Sequence, residues 1–441
     1  MFLNLFVQKY LSIKNKEIRK RGIMAKIIRI HAREIIDSRG NPTVECEVVT
    51  KDACASASVP SGASTGSSEA WELRDVGKKR FLGKGVLEAV KHVNSIIAKN
   101  IVGMDAADQE AIDFVLKKLD PTAQKVKLGA NTLLAVSIAC AKAANTHAPY
   151  AHIAKLGDTK KYVMPVPAFN IINGGKHAGQ GPDFQEYLLF PTGAKSFAEA
   201  LQIGVEVYQT LKQQLQKKFG KKATNVGDEG GFVPPVSCIE EPLDLIIDAV
   251  NQCGYWKKVK LGLDCAASTF YQTGGYVIEG RKLTAHQLLD RYEDLLGSYP
   301  LVSIEDPFAE EDFEHFALLT KKAKHFQVVG DDITVTNPER IKIAIEQQAC
   351  NCLLLKPNQI GTLTEALFAA RLAKNAGWNV MVSHRSGDTE DTFIADLAVG
   401  LSNGQIKSGA PCRGERVAKY NQLLRIEERL GKKATYTGKM L

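Results

Sequence analysis

Leu301-Val-Ser-Ile-Glu305, Gln327-Val-Val-Gly-Asp331, Asn351-Cys-Leu-Leu-Leu-Lys356, Val380-Met-Val-Ser-His384 and Gly404-Gln-Ile-Lys407 are five short apolar runs, each ending on a charged or polar residue. Their last residues recur at intervals of 26, 25, 28 and 23. That is the length of one strand, one helix and two short loops. Lys258-Val-Lys-Leu-Gly-Leu-Asp264 is an earlier run of the same kind. The helices between have defined ends. Asn337-Pro338 places a cap before a first-turn proline, Thr362-Leu-Thr-Glu365 reads as a capping box, and Gly377 stops the helix that follows. Repeated units of this period predict a parallel sheet closed into a barrel. Chain order then sets every charged strand end on one rim, where barrels of this kind carry their chemistry.

Upstream the rhythm differs. Thr43-Val-Glu-Cys-Glu-Val-Val49 alternates apolar and polar residues, as does Ala53 to Val59, and Thr50-Lys51-Asp52 between them predicts a hairpin turn. Helical periodicity follows over Val86–Ala98, Ala107–Leu119 and Asn131–Ala144. The division expected is a basic extension over residues 1–23, a small α+β domain over 24–150 and the barrel over 160–441.

The chain has 441 residues, 44% of them hydrophobic and 24% charged, which excludes a disordered chain. No uncharged apolar run approaches the roughly 18 residues of a membrane span. Five of the net eight positive charges lie in the first 25 residues, so the basic balance does not describe a nucleic-acid-binding face. That segment reads as an upstream start before Met24, with a transit-like peptide as the alternative. Nine scattered cysteines without a Cys-x-x-Cys fit a reducing cytoplasm rather than a disulfide framework or a zinc site.

Asp264, Glu305 and Asp331 end three successive runs. One such acid alone reads as a helix cap or a surface ion pair. Three on one rim repel each other unless a cation lies between them, and hard oxygen donors suit Mg²⁺. Lys356 and Lys407 end two later runs; burial and a nearby cation would make a neutral amine available as a base. His384-Arg385-Ser386 offers an oxyanion grip, weak evidence by itself. Two glycine-rich polar stretches, Asn173–Glu186 and Asn225–Pro235, carry His177, Gln185, Glu186 and Glu229, and with Pro60–Gly66 they read as loops that close over a substrate. No P-loop, no Gly-x-Gly-x-x-Gly opening a helix and no His-Glu-x-x-His is present.

From about residue 24 onward these motifs resemble the enolase (phosphopyruvate hydratase) family. Ala32–Glu45 is similar to its opening signature, Ser61-Gly-Ala-Ser-Thr-Gly66 with Glu69 and Arg74-Asp75 to its lid loop, and Leu353–Thr362 and Ser383–Thr392 to its two barrel motifs. Cys412 and Val76-Gly77 depart from the usual pattern at positions without a catalytic part in the family. The resemblance implies an irregular eight-stranded β/α (TIM-like) barrel whose early strands break strict alternation, preceded by the smaller α+β domain. It implies the reversible, Mg²⁺-dependent dehydration of 2-phosphoglycerate to phosphoenolpyruvate in glycolysis and gluconeogenesis, in a cytoplasmic homodimer or octamer of dimers. By motif, Asp264, Glu305 and Asp331 would hold the tighter of two Mg²⁺ and Ser64 would help hold the second. Lys356 would remove the C2 proton. Glu229, with Glu186 and His177 beside it, would protonate the leaving 3-hydroxyl, which calls for a raised pKa at Glu229. Gln185, His384, Arg385, Ser386 and Lys407 would hold the substrate's carboxylate and phosphate. Two rivals stand beside this reading. A sister racemase or cycloisomerase would need no phosphate grip, against which Arg385-Ser386 and the lid argue. A surface-displayed or secreted pool binding host proteins is the other, although the chain ends Lys439-Met440-Leu441 rather than on lysine.

Overall fold

The computed structural model describes residues 25–63, 66–178 and 181–440. The extension expected over 1–23 lies outside them. Strands β1 (Ile27–Ile36), β2 (Pro42–Thr50) and β3 (Cys54–Ser58) form an antiparallel sheet in that order. The alternation of β2 is realised as read: Val44, Cys46 and Val48 are buried, while Glu45 and Glu47 stay partly exposed and pair with Arg33 and Arg29 across the ladder. Helices α1 (Gln109–Leu119) and α2 (Ala130–Ala144) follow, α2 packing against the sheet. The helix expected over Val86–Ala98 runs on to Ile101 with a π turn over Val93–Ile97. Asn94 within that turn pairs with both backbone groups of Ala32 in β1, at 2.7 and 3.0 Å.

The barrel strands are β4 (Val166–Asn173), β5 (Glu186–Phe190), β6 (Lys260–Asp264), β7 (Leu301–Glu305), β8 (Gln327–Gly330), β9 (Cys352–Leu355), β10 (Asn379–Ser383) and β11 (Gly404–Lys407). They close in the order β7-β8-β9-β10-β11-β4-β5-β6. Only β5 runs antiparallel to both neighbours. Helices α3 (Phe197–Phe219) and α4 (Glu241–Gln252) separate β5 from β6. From β6 onward each strand is followed by one principal helix: α5 (Ala285–Ser298), α6 (Phe313–Lys322), α7 (Pro338–Glu346), α8 (Leu363–Asn375), α9 (Phe393–Leu401) and α10 (Gly414–Leu430). This is the irregular eight-stranded barrel that the resemblance implied.

The expected helix ends are present. Asn337 accepts from the Glu339 N–H at 2.9 Å, with Pro338 in the first turn, and Gly377 sits at φ +80°. At Thr362 only half of the capping box forms. Its hydroxyl accepts from the Glu365 N–H at 3.3 Å, but the Glu365 carboxylate takes that same hydroxyl at 2.7 Å instead of the cap's N–H. No helix among the described residues is long and apolar enough to cross a membrane.

The end of the barrel away from the charged rim is closed by the chain's own last residues. Met440 is buried against Val166, Leu188, Val329 and Leu354, and its carbonyl accepts from Gln405 Nε2 at 3.1 Å and from Asn379 Nδ2. Gln405 in turn pairs with Gln327 at 2.9 and 3.0 Å, a polar layer inside the barrel floor. Met440→Ala is expected to cost about 2–5 kcal/mol, the range for truncating a buried methionine. Thermal melting should show a transition lowered by several degrees. Turnover per folded molecule should be unchanged, because the floor lies at the far end from the rim.

Candidate active site

The registers of β5, β6 and β7 set the site. Asp264, last in β6, lies opposite Glu305, last in β7, and opposite Glu186, first in β5. Because β5 is antiparallel, its beginning reaches the rim that the other strands reach with their ends. Gln185 and Glu186 therefore arrive level with Asp264. Asp331, Lys356 and His384 each stand one residue beyond β8, β9 and β10, and Lys407 ends β11. One small cavity on this rim is lined by His177, Gln185, Glu186, Glu229, Asp264, Lys356, His384, Arg385, Ser386 and Lys407. Glu305 and Asp331 join it through Lys407 and Lys356. Ser64 lies outside the described residues.

The lysines carry the centre. Lys407 Nζ donates to Glu305 at 2.8 Å and to Asp264 at 2.9 Å, and lies 3.2 Å from Glu186. Burial alone would discharge this amine, but the three carboxylates hold it well above the usual lysine range. Lys356 Nζ sits 2.5 Å from Asp331, whose other oxygen accepts from Gln359 Nε2 at 2.8 Å. The depressed pKa expected at Lys356 was to come from burial and a nearby cation together. Burial works in that direction, but the adjoining Asp331 carboxylate outweighs it and raises the pKa.

The acid expected at Glu229 lies in a cluster of buried titratable groups. His177, Glu186 and Glu229 offer ligand atoms all within 4.8 Å of one another. Two buried carboxyls that close cannot both ionise freely. Burial and the charge on Glu229 push Glu186 well above the ordinary range. Glu229 is buried equally, yet His384 at 3.3 Å, His177 at 3.6 Å and Arg416 behind them hold it well below. Burial lowers the pKa of both histidines, His384 to about 4. The Glu186–Glu229 pair therefore titrates as a unit, with Glu186 shifted toward its protonated form and Glu229 toward its ionised form. The Glu229 loop is locked from behind: its carbonyl accepts from the Ala410 N–H at 2.9 Å. Gly409, at φ +75°, makes room, since a Cβ there would lie 2.6 Å from that carbonyl.

On the other side of the rim, Arg385 meets Glu69 in a two-point contact of 2.9 and 3.0 Å and donates to Asn358 at 3.1 Å. Ser386 Oγ accepts from the Ala63 N–H at 2.7 Å, which ties the first part of the lid loop to the anion corner. A cavity of about 350 Å³ opens beside Arg385 between Pro60, Glu69 and Trp71, a roomier approach than the charged cleft itself.

Two supports were not read from the sequence. Arg416, fully buried, donates to His384 Nδ1, Arg385 O and Ser386 O, each at 2.6 Å, and to Asp228 O at 3.0 Å. It fixes the turn after β10 and, by occupying Nδ1, leaves the His384 proton on Nε2 facing Glu229. Its signal was an arginine on the apolar face of α10, four residues before Tyr420 and seven before Leu423. Asn170 donates to Glu229 at 3.0 Å; an asparagine inside an otherwise apolar strand was its signal.

The donor set fits a hard divalent cation. Five buried carboxylates, Glu186, Glu229, Asp264, Glu305 and Asp331, face two ammoniums, so negative charge is in excess. Glu305 Oε2 is buried without a hydrogen-bond partner, and burial together with Asp264 raises its carboxyl well above the ordinary range. Oxygens left to hold protons or nothing at all are what a cation would engage. The lysines stand between the three expected ligands. Among the described residues the acidic triad whose atoms lie within 4.8 Å of one another is Asp306, Asp331 and Asp332.

Comparisons with known proteins agree with this architecture. Residues 27–152 match the family model described as the enolase N-terminal domain, and residues 161–441 match the enolase C-terminal TIM barrel domain. The enolase of Methanocaldococcus jannaschii is 58% identical over 403 residues, covering 91% of this chain and 95% of that protein. The enolase of Methanococcus aeolicus is 56% identical over 407 residues, covering 92% and 96%. With both domains matched and relatives this similar along nearly their whole length, the chain belongs to the enolase family.

Proposed function

We propose that this chain is a hydro-lyase, a phosphopyruvate hydratase, that interconverts 2-phosphoglycerate and phosphoenolpyruvate in glycolysis and gluconeogenesis. The observation that carries the reading is the single rim on which a carboxylate cluster, two buried lysines, a coupled carboxyl pair and an arginine–serine anion corner meet. Arg385, Ser386 and His384 take the phosphate side, and Gln185 and Lys407 take the carboxylate. A dianionic phosphate arriving at Arg385 displaces or shares the Glu69 contact.

Lys356 is the base at C2. It is charged while Asp331 holds it, so its basicity depends on Asp331 turning to another partner. The proton for the departing 3-hydroxyl comes from the Glu186–Glu229 pair, with Glu229 as donor and His177 beside it. β9, which ends just before Lys356, and β5, which begins at Glu186, are four places apart in a ring of eight strands. Base and acid therefore act from opposite faces of the substrate, and proton and hydroxyl leave anti to each other. Asp264, Glu305 and Asp331 would hold one Mg²⁺, and Ser64 would help hold a second. When bound, the metal neutralises the excess acidity of the rim and stabilises the charge that grows on the substrate carboxylate. A lysine or histidine base working beside Mg²⁺ is the established pattern of enolase-superfamily sites. The amino-terminal domain over 24–150, the barrel over 160–441, a cytoplasmic location and a homodimer complete the proposal.

The purified protein with Mg²⁺ is expected to convert 2-phosphoglycerate to a product absorbing as phosphoenolpyruvate. No product from 2-phosphoglycerate, with racemisation of a carboxylic acid lacking phosphate, would assign the site to a sister activity instead.

Removing divalent cations with chelator should abolish turnover and leave the far-ultraviolet circular dichroism unchanged, because the metal answers the rim's charge rather than the core's packing. Asp331→Asn should raise the Mg²⁺ concentration needed for half-maximal rate. Full turnover in chelator would remove the metal from the reading.

A further inference from the structure

A pair of histidines stands outside the active site, on the two helices that flank β7. His286 lies in the first turn of α5, and His315 lies in the first turn of α6. His315 Nε2 is 3.1 Å from His286 Nδ1, with the rings nearly perpendicular. The other nitrogen of His315, Nδ1, is 2.7 Å from Asp312 Oδ1. Asp312 is itself held: its second oxygen accepts from the Tyr276 hydroxyl at 3.0 Å, and that hydroxyl accepts from the Ala309 N–H at 3.0 Å.

This chain of contacts fixes a tautomer. A carboxylate accepts only, so Nδ1 of His315 carries the proton and its Nε2 presents a lone pair toward His286. Without a cation, His286 Nδ1 donates to that lone pair at 3.1 Å; moving this proton to the exposed Nε2 turns both nitrogens into lone-pair donors for one cation. Nitrogens bound to Zn²⁺ at ~2.0–2.1 Å in a tetrahedron lie about 3.4 Å apart, close to the separation seen. A carboxylate behind a histidine, orienting the ring and raising its basicity, is the usual support of an imidazole metal ligand. His286 is exposed, so water can complete the coordination, and Asp290 stands one turn further along the same helix face.

We propose that His286 and His315, supported by Asp312, form a binding site for a d-block divalent cation of the Zn²⁺ class, bridging α5 to α6. Imidazole donors select such ions over the Mg²⁺ that suits the oxygen-rich rim. The site is independent of the reading of the active site, since neither histidine lines the charged cleft.

The test is calorimetric titration of ZnCl₂ into the full chain held in saturating Mg²⁺, compared with His286→Gln and Asp312→Asn. Wild type is expected to bind one more equivalent of Zn²⁺ than His286→Gln. Asp312→Asn should keep that equivalent with affinity lower by about 10–100-fold, the usual effect of losing such a support. Thermal melting gives a second reading: Zn²⁺ should raise the transition of wild type more than that of His286→Gln, since it ties two helices of the folded state. Mg²⁺-dependent turnover of His286→Gln should match wild type. Equal Zn²⁺ stoichiometry in wild type and His286→Gln, or an equal thermal shift, overturns the proposal.

Discussion

One ammonium holds the rim together. Lys407, sealed from solvent at the end of β11, reaches across the barrel mouth to Asp264, Glu305 and Glu186. Three strands bring carboxylates to that point by register, and without a cation there the desolvation of three acids would oppose closure of the barrel. Around it the charges still do not balance. Glu186 and Glu305 answer by holding their protons more tightly, and Glu305 keeps an oxygen with no partner. The rim has room for further positive charge, and the same excess of carboxylates raises Glu186 and Glu305.

The reversed strand β5 turns this charge into directed chemistry. Had β5 run parallel, Glu186 would sit at the floor, near the polar layer of Gln327 and Gln405. Reversal carries it to the rim, across the ring from Lys356 and beside Glu229. The two groups proposed for proton transfer are thereby separated by the width of the barrel mouth. Arg416 and Asn170 keep the acid side in place. They satisfy carbonyls and carboxylate oxygens that would otherwise be stranded in a dry interior.

The barrel was legible because its strand ends are charged and evenly spaced, and Asp264, Glu305, Asp331, Lys356, His384 and Lys407 all stand at or one residue past a strand end. Glu186 and Gln185 were legible only through their motif. Periodicity assumes that chemistry sits at the end of a strand, and an antiparallel strand brings its beginning. The electrostatic surroundings of Lys356 and Glu229 were less legible. Burial and a cation were weighed at Lys356 and the Glu186 neighbour at Glu229, but partners at short range set the direction, and only the fold shows that Asp331 lies on Lys356 and that His384 lies 3.3 Å from Glu229. Arg416 escaped notice because a charged residue in a helix normally faces solvent.

Base and acid, on this reading, are separate groups on opposite walls of one site. Exchange of the C2 proton of 2-phosphoglycerate with solvent deuterium, followed by NMR alongside dehydration, distinguishes them. Lys356→Ala should lose both exchange and dehydration. Glu229→Gln should still exchange that proton while dehydration falls by about two to four orders of magnitude, as for loss of a positioned acid. Exchange at the wild-type rate in Lys356→Ala would contradict this arrangement, because the proton would then be leaving to a group on some other strand.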